Sequence, residues 1–450
     1  MIERLLILGT GDLTSRYLLP ALAWLEDEGK LPAALRITAV GRREHRTPGF
    51  RAVVGEGLQK HCAKLAASSR EALVRRIDYL RAEVTQSAAL APLVRDEPVA
   101  AYLALPPSVF GPAALGLARA GVREGSRIVL EKPFGESLAS ARALNRLLHE
   151  HFAEDMLFRV DHFLAYQTVR NILGLRFANG LLASVWDRAH IERVDIVWDE
   201  TLGLEGRASY YDGVGALKDV LQNHLLQLAC LVGMEPPLSL DARALRDRRL
   251  DFLRSVRQLS SGALSTASVR GRYTAGTIDG RELPAYADEP GVDPRKMTET
   301  FAQLTLAVDS GRWAGVPFVL RTGKALGHAR QEISLSLRDV PVSIFGVSGA
   351  SQNVLRIGLE RERVGLTLNL TGPERSPTLR AVSLEADLTQ EALPAYARIL
   401  LDVLEGRSTL SIRADEAEEA WRIVEPVVDA WRSGAVPLLE YAAGSTGPSR

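Results

Sequence analysis

With only two cysteines, Cys62 and Cys230, in 450 residues, the chain has no disulfide framework to read. Net charge is missing too. Lys plus Arg and Asp plus Glu are both 55, so no global field draws the chain to nucleic acid or an anionic membrane. Lysine is scarce, seven residues against 48 arginines, so a drift from lysine to arginine could preserve charge where a lysine is lost. The opening run Met1-Ile2-Glu3-Arg4-Leu5-Leu6-Ile7-Leu8 brings charge at once and is far too short for a signal core or a membrane span. These absences point to a cytoplasmic globular protein with no membrane or nucleic-acid partner. A hydrophobic content of 46% and a charged content of 24% suit a folded chain, and 450 residues exceed one core, so two domains are expected.

Taken in order, the first half alternates strands and helices. The apolar run Arg4 to Leu8 meets Gly9-Thr10-Gly11-Asp12-Leu13, and a helical pattern follows from Arg16 through Leu25. Strand, glycine turn and helix are the parts of a dinucleotide site, in which glycines let the backbone approach a pyrophosphate and the helix N-terminus stabilises its charge. Thr14 stands where the third glycine of that fingerprint belongs, so the turn alone is a weak signal. The next run, Leu35 to Val40, ends in Gly41-Arg42-Arg43, where an NAD site would carry an acidic residue. Arginine there suits a 2′-phosphate, although a solvated loop is the alternative and Glu44 follows at once. NADP is therefore the expected coenzyme, with NAD left open. Further strands are expected at Val99 to Leu105, closed by Pro106-Pro107, at Arg127 to Leu130, closed by Glu131-Lys132-Pro133-Phe134-Gly135, and at Met156 to Val160. Helices between them run to Ala120 and from Ser137 to Leu148. This rhythm predicts a parallel sheet covered on both faces, with Lys132 aimed at the coenzyme crevice before a proline that could be cis.

The rhythm changes at Arg159-Val160-Asp161-His162-Phe163-Leu164-Ala165-Tyr166. A carboxylate beside an imidazole at such a seam is a candidate site. Residues 1–161 are accordingly read as a dinucleotide-binding domain and 162–450 as a substrate and oligomerisation domain. Beyond the seam the pattern predicts helices near Leu164 to Phe177 and from about Tyr210 to Val232. Strands are predicted near Val194 to Trp198 and at Glu332 to Leu337, Asn353 to Gly358 and Val364 to Leu370. The fold class is thus an α/β Rossmann-type coenzyme domain followed by an α+β domain with a large, mostly antiparallel sheet. Such a sheet leaves a face to bury, which suggests a homodimer or homotetramer. The tail Ala442 to Arg450 reads as frayed. Within the long helix, Lys218-Asp219-Val220-Leu221-Gln222-Asn223-His224 is a polar cluster that must meet partners or line a pocket. On an α-helix, Asp219 and His224 would lie about 140° apart and grip a ligand from two sides.

At this point the chain resembles the glucose-6-phosphate dehydrogenase family over nearly its whole length. The shared motifs are Gly9 to Leu13, Tyr102 to Pro107, Glu131 to Gly135, Asp161-His162, Tyr210-Tyr211-Asp212 and Gln222-Asn223-His224. They continue with Val269-Arg270-Gly271, Thr298 to Phe301, Arg312-Trp313, Gly315 to Phe318 and Arg321-Thr322-Gly323-Lys324. The resemblance implies that His224 takes the proton from the anomeric hydroxyl of a sugar, that Asp161 holds the imidazole and offsets its charge, and that hydride leaves C1 to give a lactone. It implies that Gly9, Gly11, Asp12, Leu13, Arg42, Arg43, Pro106 and Lys132 face the coenzyme, with Lys132 also in the catalytic set. Glu200, Asp219, His224 and Lys324 would contact the sugar. No metal site is expected.

The phosphate end departs from the family. Its pattern after Asp-His is Tyr-Leu-Gly-Lys-Glu, and here Phe163-Leu164-Ala165-Tyr166-Gln167 stands instead, so the phosphate-binding lysine has become Tyr166. The cation five residues after Lys324 is Ala329, the lysine beyond Gly-Asp-Leu is Tyr17, and Leu8 replaces a glycine under the first turn. Two charge-assisted hydrogen bonds at roughly 1.5–3 kcal/mol each amount to on the order of a thousandfold in affinity. His162 and Arg330 are the residues left to serve that end, together with Tyr166. The expectation is a hexose 1-dehydrogenase whose sugar is unphosphorylated or modified. The alternatives are an ordinary glucose-6-phosphate 1-dehydrogenase with a rearranged phosphate pocket and, from another class, a non-catalytic sugar- or nucleotide-binding regulator.

Overall fold

The computed structural model describes residues 1–342, 344–345, 351–359, 362–372, 378–388 and 393–449. The chain forms two compact units. The first is Met1–Ala165 with Leu238–Arg246 and Glu391–Glu418; the second is Tyr166–Pro237 with Asp247–Gln390 and Glu419–Arg450.

In the first unit, β1 (Arg4–Leu8), β2 (Arg36–Gly41), β3 (Ile77–Arg81), β4 (Ala100–Leu103), β5 (Arg127–Glu131) and β6 (Leu157–Val160) form one sheet in the order β3-β2-β1-β4-β5-β6. All its pairings are parallel. Leu5, Leu6, Ile7 and Leu8 are wholly buried, which an unbroken apolar run achieves only when both faces of its strand are covered. This is the doubly wound order, in which ligands bind outside the carboxyl ends of the strands where the order reverses, here between β1 and β4.

The boundary expected at residue 161 misses two returns of the chain, since Leu238–Arg246 and Glu391–Glu418 belong to the first unit. The cause is an apolar face. In the helix Ala395–Glu405, Ala397, Leu400, Val403 and Leu404 are all but fully buried in the first unit's core. The segment after this helix also braces β6. Ser411 accepts a hydrogen bond from the Arg159 N–H at 3.0 Å, and the Ile412 N–H donates to the Arg159 carbonyl at 2.9 Å.

The second unit carries β7 (Ile191–Asp199), β8 (Ser268–Thr274), the hairpin strands β9 (Gly276–Ile278) and β10 (Arg281–Leu283), β11 (Phe301–Leu306), β12 (Phe318–Gly323), β13 (Arg330–Leu337), β14 (Val354–Gly358), β15 (Arg363–Thr371), β16 (Leu379–Asp387) and β17 (Leu438–Ala442). Apart from the hairpin they make a single nine-stranded sheet, β16-β15-β14-β13-β7-β12-β11-β8-β17. Its pairings are antiparallel except β7 with β12 and β8 with β17.

The tail corrects a second expectation. Instead of fraying, it follows directly from the edge strand β17, sharing Ala442 with it, and its backbone is held: Gly444 N–H donates to the Ala325 carbonyl at 2.9 Å, and Gly327 N–H donates to that of Ser445 at 2.8 Å. Arg321 reaches the Thr446 carbonyl at 2.8 Å. Small polar residues here serve close backbone approach, since a Cβ on Gly444 would stand 2.2 Å from the Thr277 carbonyl oxygen. Arg450 lies outside the described residues.

Candidate functional site

In the first unit, the turn after β1 is shaped by Gly9, whose φ is +108° and where a Cβ would stand 2.2 Å from the Ala104 carbonyl oxygen. Only glycine fits. Thr14, in place of the third glycine, is buried and donates to the Gly9 carbonyl at 2.8 Å, which closes the same turn by a side-chain bond. Around Gly11 the space is open where a Cβ would stand, and helical backbone starts at Asp12 and Leu13. The N–H groups of a first helical turn lack intrahelical acceptors and suit a phosphate. The backbone therefore fits a pyrophosphate.

Arg42 and Arg43 follow β2 in an exposed bend, fixed by the Tyr79 hydroxyl donating to the Arg43 carbonyl at 2.8 Å. Glu44, the residue that clouds coenzyme choice in the sequence, ion-pairs with Arg81 at 3.0 Å. Pro106 follows β4 and accepts from the Val109 N–H at 2.9 Å, opening the short turn Pro107–Val109. At the end of β5, the Lys132–Pro133 bond is cis. The preceding Glu131 is buried and accepts from the Tyr102 hydroxyl. Burial pushes its carboxyl up to about 7 against the pull of the Tyr102 hydrogen bond and the Lys132 charge. At the end of β6, the buried Asp161 accepts from the Phe163 N–H at 3.0 Å. His162 stacks on Tyr396, with ring centroids 5.6 Å apart and planes at 18°. The first unit thus gathers the expected coenzyme residues, Asp161 and His162 at the carboxyl ends of its strands.

The second unit holds the remaining expected residues. Glu200, just past β7, pairs with Lys324, just past β12, at 2.6 Å, and the Lys324 ammonium lies 5.4 Å from the centre of the Tyr211 ring. Parallel pairing of β7 with β12 brings these two ends together. The Tyr210 hydroxyl donates to Asp219 at 3.1 Å. Tyr166 stands nearly parallel to Trp198, centroids 6.5 Å apart. Arg330, the residue left to replace a missing cation, is tied to Glu332 at 2.9 Å, and Ala329 beside it is exposed.

The long helix is not the uniform α-helix expected. A short helix Ala208–Tyr211 is followed by a π-helix, Leu217–Leu225, that runs into the α-helix Leu226–Gly233. In an i→i+5 ladder, residue 224 lies one turn beyond residue 219. Asp219 and His224 therefore share a side of the helix, and the separation of about 140° drawn from α-helical geometry does not hold. The side chain of Asn223 contributes, donating to the Lys218 carbonyl five residues back at 2.9 Å. His224 itself is buried, as are Gln222 and Asn223.

Sequence reading passed over three groups that the structure brings forward. Tyr396, Trp198 and Glu299 were not candidates, because two of them matter only through a distant ring. The third, Glu299, was noted only as part of Thr298-Glu299-Thr300. It is buried, accepts from the Leu217 N–H at 3.0 Å, and its carbonyl accepts from the Tyr211 hydroxyl at 3.3 Å. It therefore holds the start of the π-helix.

Comparison with known proteins covers the whole chain. Residues 6–171 match the family model described as glucose-6-phosphate dehydrogenase, NAD binding domain, and residues 173–450 the one described as its C-terminal domain. The glucose-6-phosphate 1-dehydrogenase of Gluconobacter oxydans is 39% identical over 98% of this chain and 93% of its own. That of Zymomonas mobilis is 38% identical, covering 98% and 94%. Among solved structures, a glucose-6-phosphate 1-dehydrogenase from Mycobacterium avium superposes with a TM-score of 0.89 at 34% identity, covering 99% of this chain and 95% of that one. A glucose-6-phosphate dehydrogenase in complex with glucose-6-phosphate gives 0.91 at 28% identity, covering 100% and 96%.

Glu299 yields a pH prediction. Burial raises its carboxyl from the ordinary 4.5 to about 7, so the folded chain binds the proton more tightly than the unfolded one. The associated stability is complete below about 4.5 and is lost as pH rises through about 7. Glu299→Gln is expected to flatten the fall in unfolding midpoint between about pH 5 and 7, removing a slope of up to about 1.4 kcal/mol per pH unit. Thermal unfolding of parent and variant across that range checks this, and parallel profiles would contradict it.

Proposed function

The chain belongs to the glucose-6-phosphate dehydrogenase family, and on that premise we propose that it oxidises the C1 hydroxyl of a hexopyranose to a lactone, with NADP preferred. The coenzyme supplies a hydride acceptor, and Gly9, Gly11, Asp12, Leu13, Pro106 and Lys132 would hold it. Arg42 and Arg43, with Glu44 engaged by Arg81, favour a coenzyme that carries a 2′-phosphate.

In this reading His224 is the general base that takes the proton from the C1 hydroxyl, and Asp161 stabilises the imidazolium that results. Lys132 orients the reacting partners. Glu200, Lys324 and Asp219 engage the sugar hydroxyls; the Glu200–Lys324 pair at 2.6 Å offers an acceptor and a donor side by side. A cytoplasmic enzyme agrees with two free, buried cysteines, and among the described residues no helix is long and apolar enough to cross a membrane. Leu370 and Leu384, exposed on the paired strands β15 and β16, support a homodimer or homotetramer.

The observation that carries substrate choice is the chemistry at the C6 end. Tyr166 stands against Trp198, Ala329 offers no charge, and the Arg330 guanidinium is tied to Glu332. Tyr166 where the family carries a lysine and Ala329 where it carries a second cation fit an unphosphorylated or otherwise modified C6 better than a phosphate dianion, while the exposed Arg330–Glu332 pair is weak and leaves Arg330 to the second reading. The second reading, glucose 6-phosphate itself, draws on the names of the relatives and on His162.

Steady-state kinetics separates them: glucose is expected to give a kcat/KM at least equal to that of glucose 6-phosphate, and a preference of more than about tenfold for the phosphorylated sugar would establish the second reading. His224→Asn is expected to lower kcat by roughly 10²–10⁴-fold with NADP binding unchanged, as read by initial rates and coenzyme titration. Undiminished turnover would remove His224 from the mechanism.

A further inference from the structure

A cavity of about 400 Å³ opens within the second unit, and its lining is mainly cationic. Lys218, Arg270, Arg295, Lys296 and Arg432 reach it from four separate segments of chain, and among the described lining residues Glu299 is the one carboxylate. With its carboxyl pushed up to about 7 by burial, Glu299 is only partly ionised at neutrality and offsets less than one of the five positive charges.

The five cations differ in how they are held. Arg295, Lys296 and Arg432 pair with Asp293, Asp212 and Asp429 at 2.9, 2.9 and 3.1 Å, and none of these aspartates lines the cavity. The Arg295–Asp293 and Arg432–Asp429 pairs are exposed and contribute little, so a phosphate can recruit those arginines at small cost, whereas Lys296 is held by the buried Asp212. Lys218 belongs to none of these pairs, and its charge acts on Glu299. Arg270 is 7% exposed; its Nε donates to the Val436 carbonyl at 3.0 Å and its guanidinium lies 6.0 Å from the centre of the Trp431 ring. Burial lowers its pKa, and the Glu299 charge opposes that shift. A desolvated guanidinium with no carboxylate bonded to it is a strong attractor for an anion.

The volume is that of a small-molecule site and exceeds what a lone inorganic ion fills. Leu217, Met297 and Trp431 give the cavity an apolar side. Cationic rim and apolar wall together match a ligand with a phosphorylated end and a ring.

We infer that this cavity binds a nucleoside diphosphate. Its phosphates would engage Lys218 and Arg270, with Arg432 at the mouth, and its ring would lie against Leu217 and Met297. Leu217 and Lys218 open the π-helix on which Asp219 and His224 stand, and the Leu217 N–H is held by Glu299 at 3.0 Å. Occupancy therefore fixes the first turn of that helix. This binding stands apart from the proposed oxidation.

Calorimetric titration of the full-length chain with ADP tests it. Whatever ADP site the first unit provides is common to all proteins compared, so the parent is expected to bind one ADP more per chain than Lys218→Met or Arg432→Glu, or to bind that additional ADP at least tenfold more tightly. Arg432 is exposed, so its variant keeps the fold, and thermal unfolding of both variants verifies this. Loss of the site in either folded variant supports the inference; unchanged stoichiometry and affinity in both overturns it.

Discussion

A fully buried cation sets the terms for the first unit. Arg159 has no exposed surface, and its guanidinium donates to Glu154 at 2.8 Å and to Asn145 at 3.0 Å. Those two partners are in turn held by the returning segment. Asn145 donates to the Ala414 carbonyl at 3.0 Å and to Glu418 at 2.9 Å, and Glu154 accepts from the Ala414 N–H at 3.2 Å. Breaking a buried pair by removing one partner costs roughly 3–5 kcal/mol, because the surviving charge is stranded. The strand that ends in Asp161 is therefore placed by residues far along the chain. Asp161 inherits its position from that network, and His162 is stacked on Tyr396 from the same return.

The division of labour between arginine and lysine follows from their shapes. Arginine's planar fork bonds two carbonyls at once, and the chain uses it as internal bracing. Arg176 donates to the Leu231 and Met234 carbonyls, each at 2.6 Å, and Arg246 to those of Ser411 and Ser408. Lysine is a point charge on a flexible stem, suited to a site where the partner is a ligand. Three of the seven lysines, Lys132, Lys218 and Lys324, fall in the turn after β5, in the π-helix and just past β12. Tyr166 and Ala329 stand where the resemblance leads one to expect cations, and neither replacement is an arginine.

The interior strands of the first sheet and four strands of the second, β7, β13, β14 and β15, were legible because burial leaves a mark on composition. An unbroken apolar run that ends in glycine or proline, as at Leu8–Gly9 or before Pro106, reads directly as an interior parallel strand, and alternation after residue 330 reads as antiparallel pairing. β3, Ile-Asp-Tyr-Leu-Arg, escaped because a five-residue edge strand with Asp78 and Arg81 exposed carries no such mark. The π-helix was illegible for another reason: i→i+4 and i→i+5 ladders tolerate the same residues, and the choice rests partly on one Asn223 hydrogen bond. Backbone bonds hold the tail, which composition cannot report. At the candidate site, residue types could be read from motifs, while the Glu200–Lys324 pair and the Tyr166–Trp198 and His162–Tyr396 stacks join residues that only the fold brings together.

The proposed oxidation requires hydride to leave C1 of a hexopyranose. Incubating the enzyme with NADP and a hexose deuterated at C1, then examining the reduced coenzyme by NMR, tests it most directly. Deuterium at C4 of the nicotinamide, with one lactone formed per coenzyme reduced, is the predicted result. Reduced coenzyme that carries only protium there, or a sugar that keeps its label at C1 after turnover, would contradict the account.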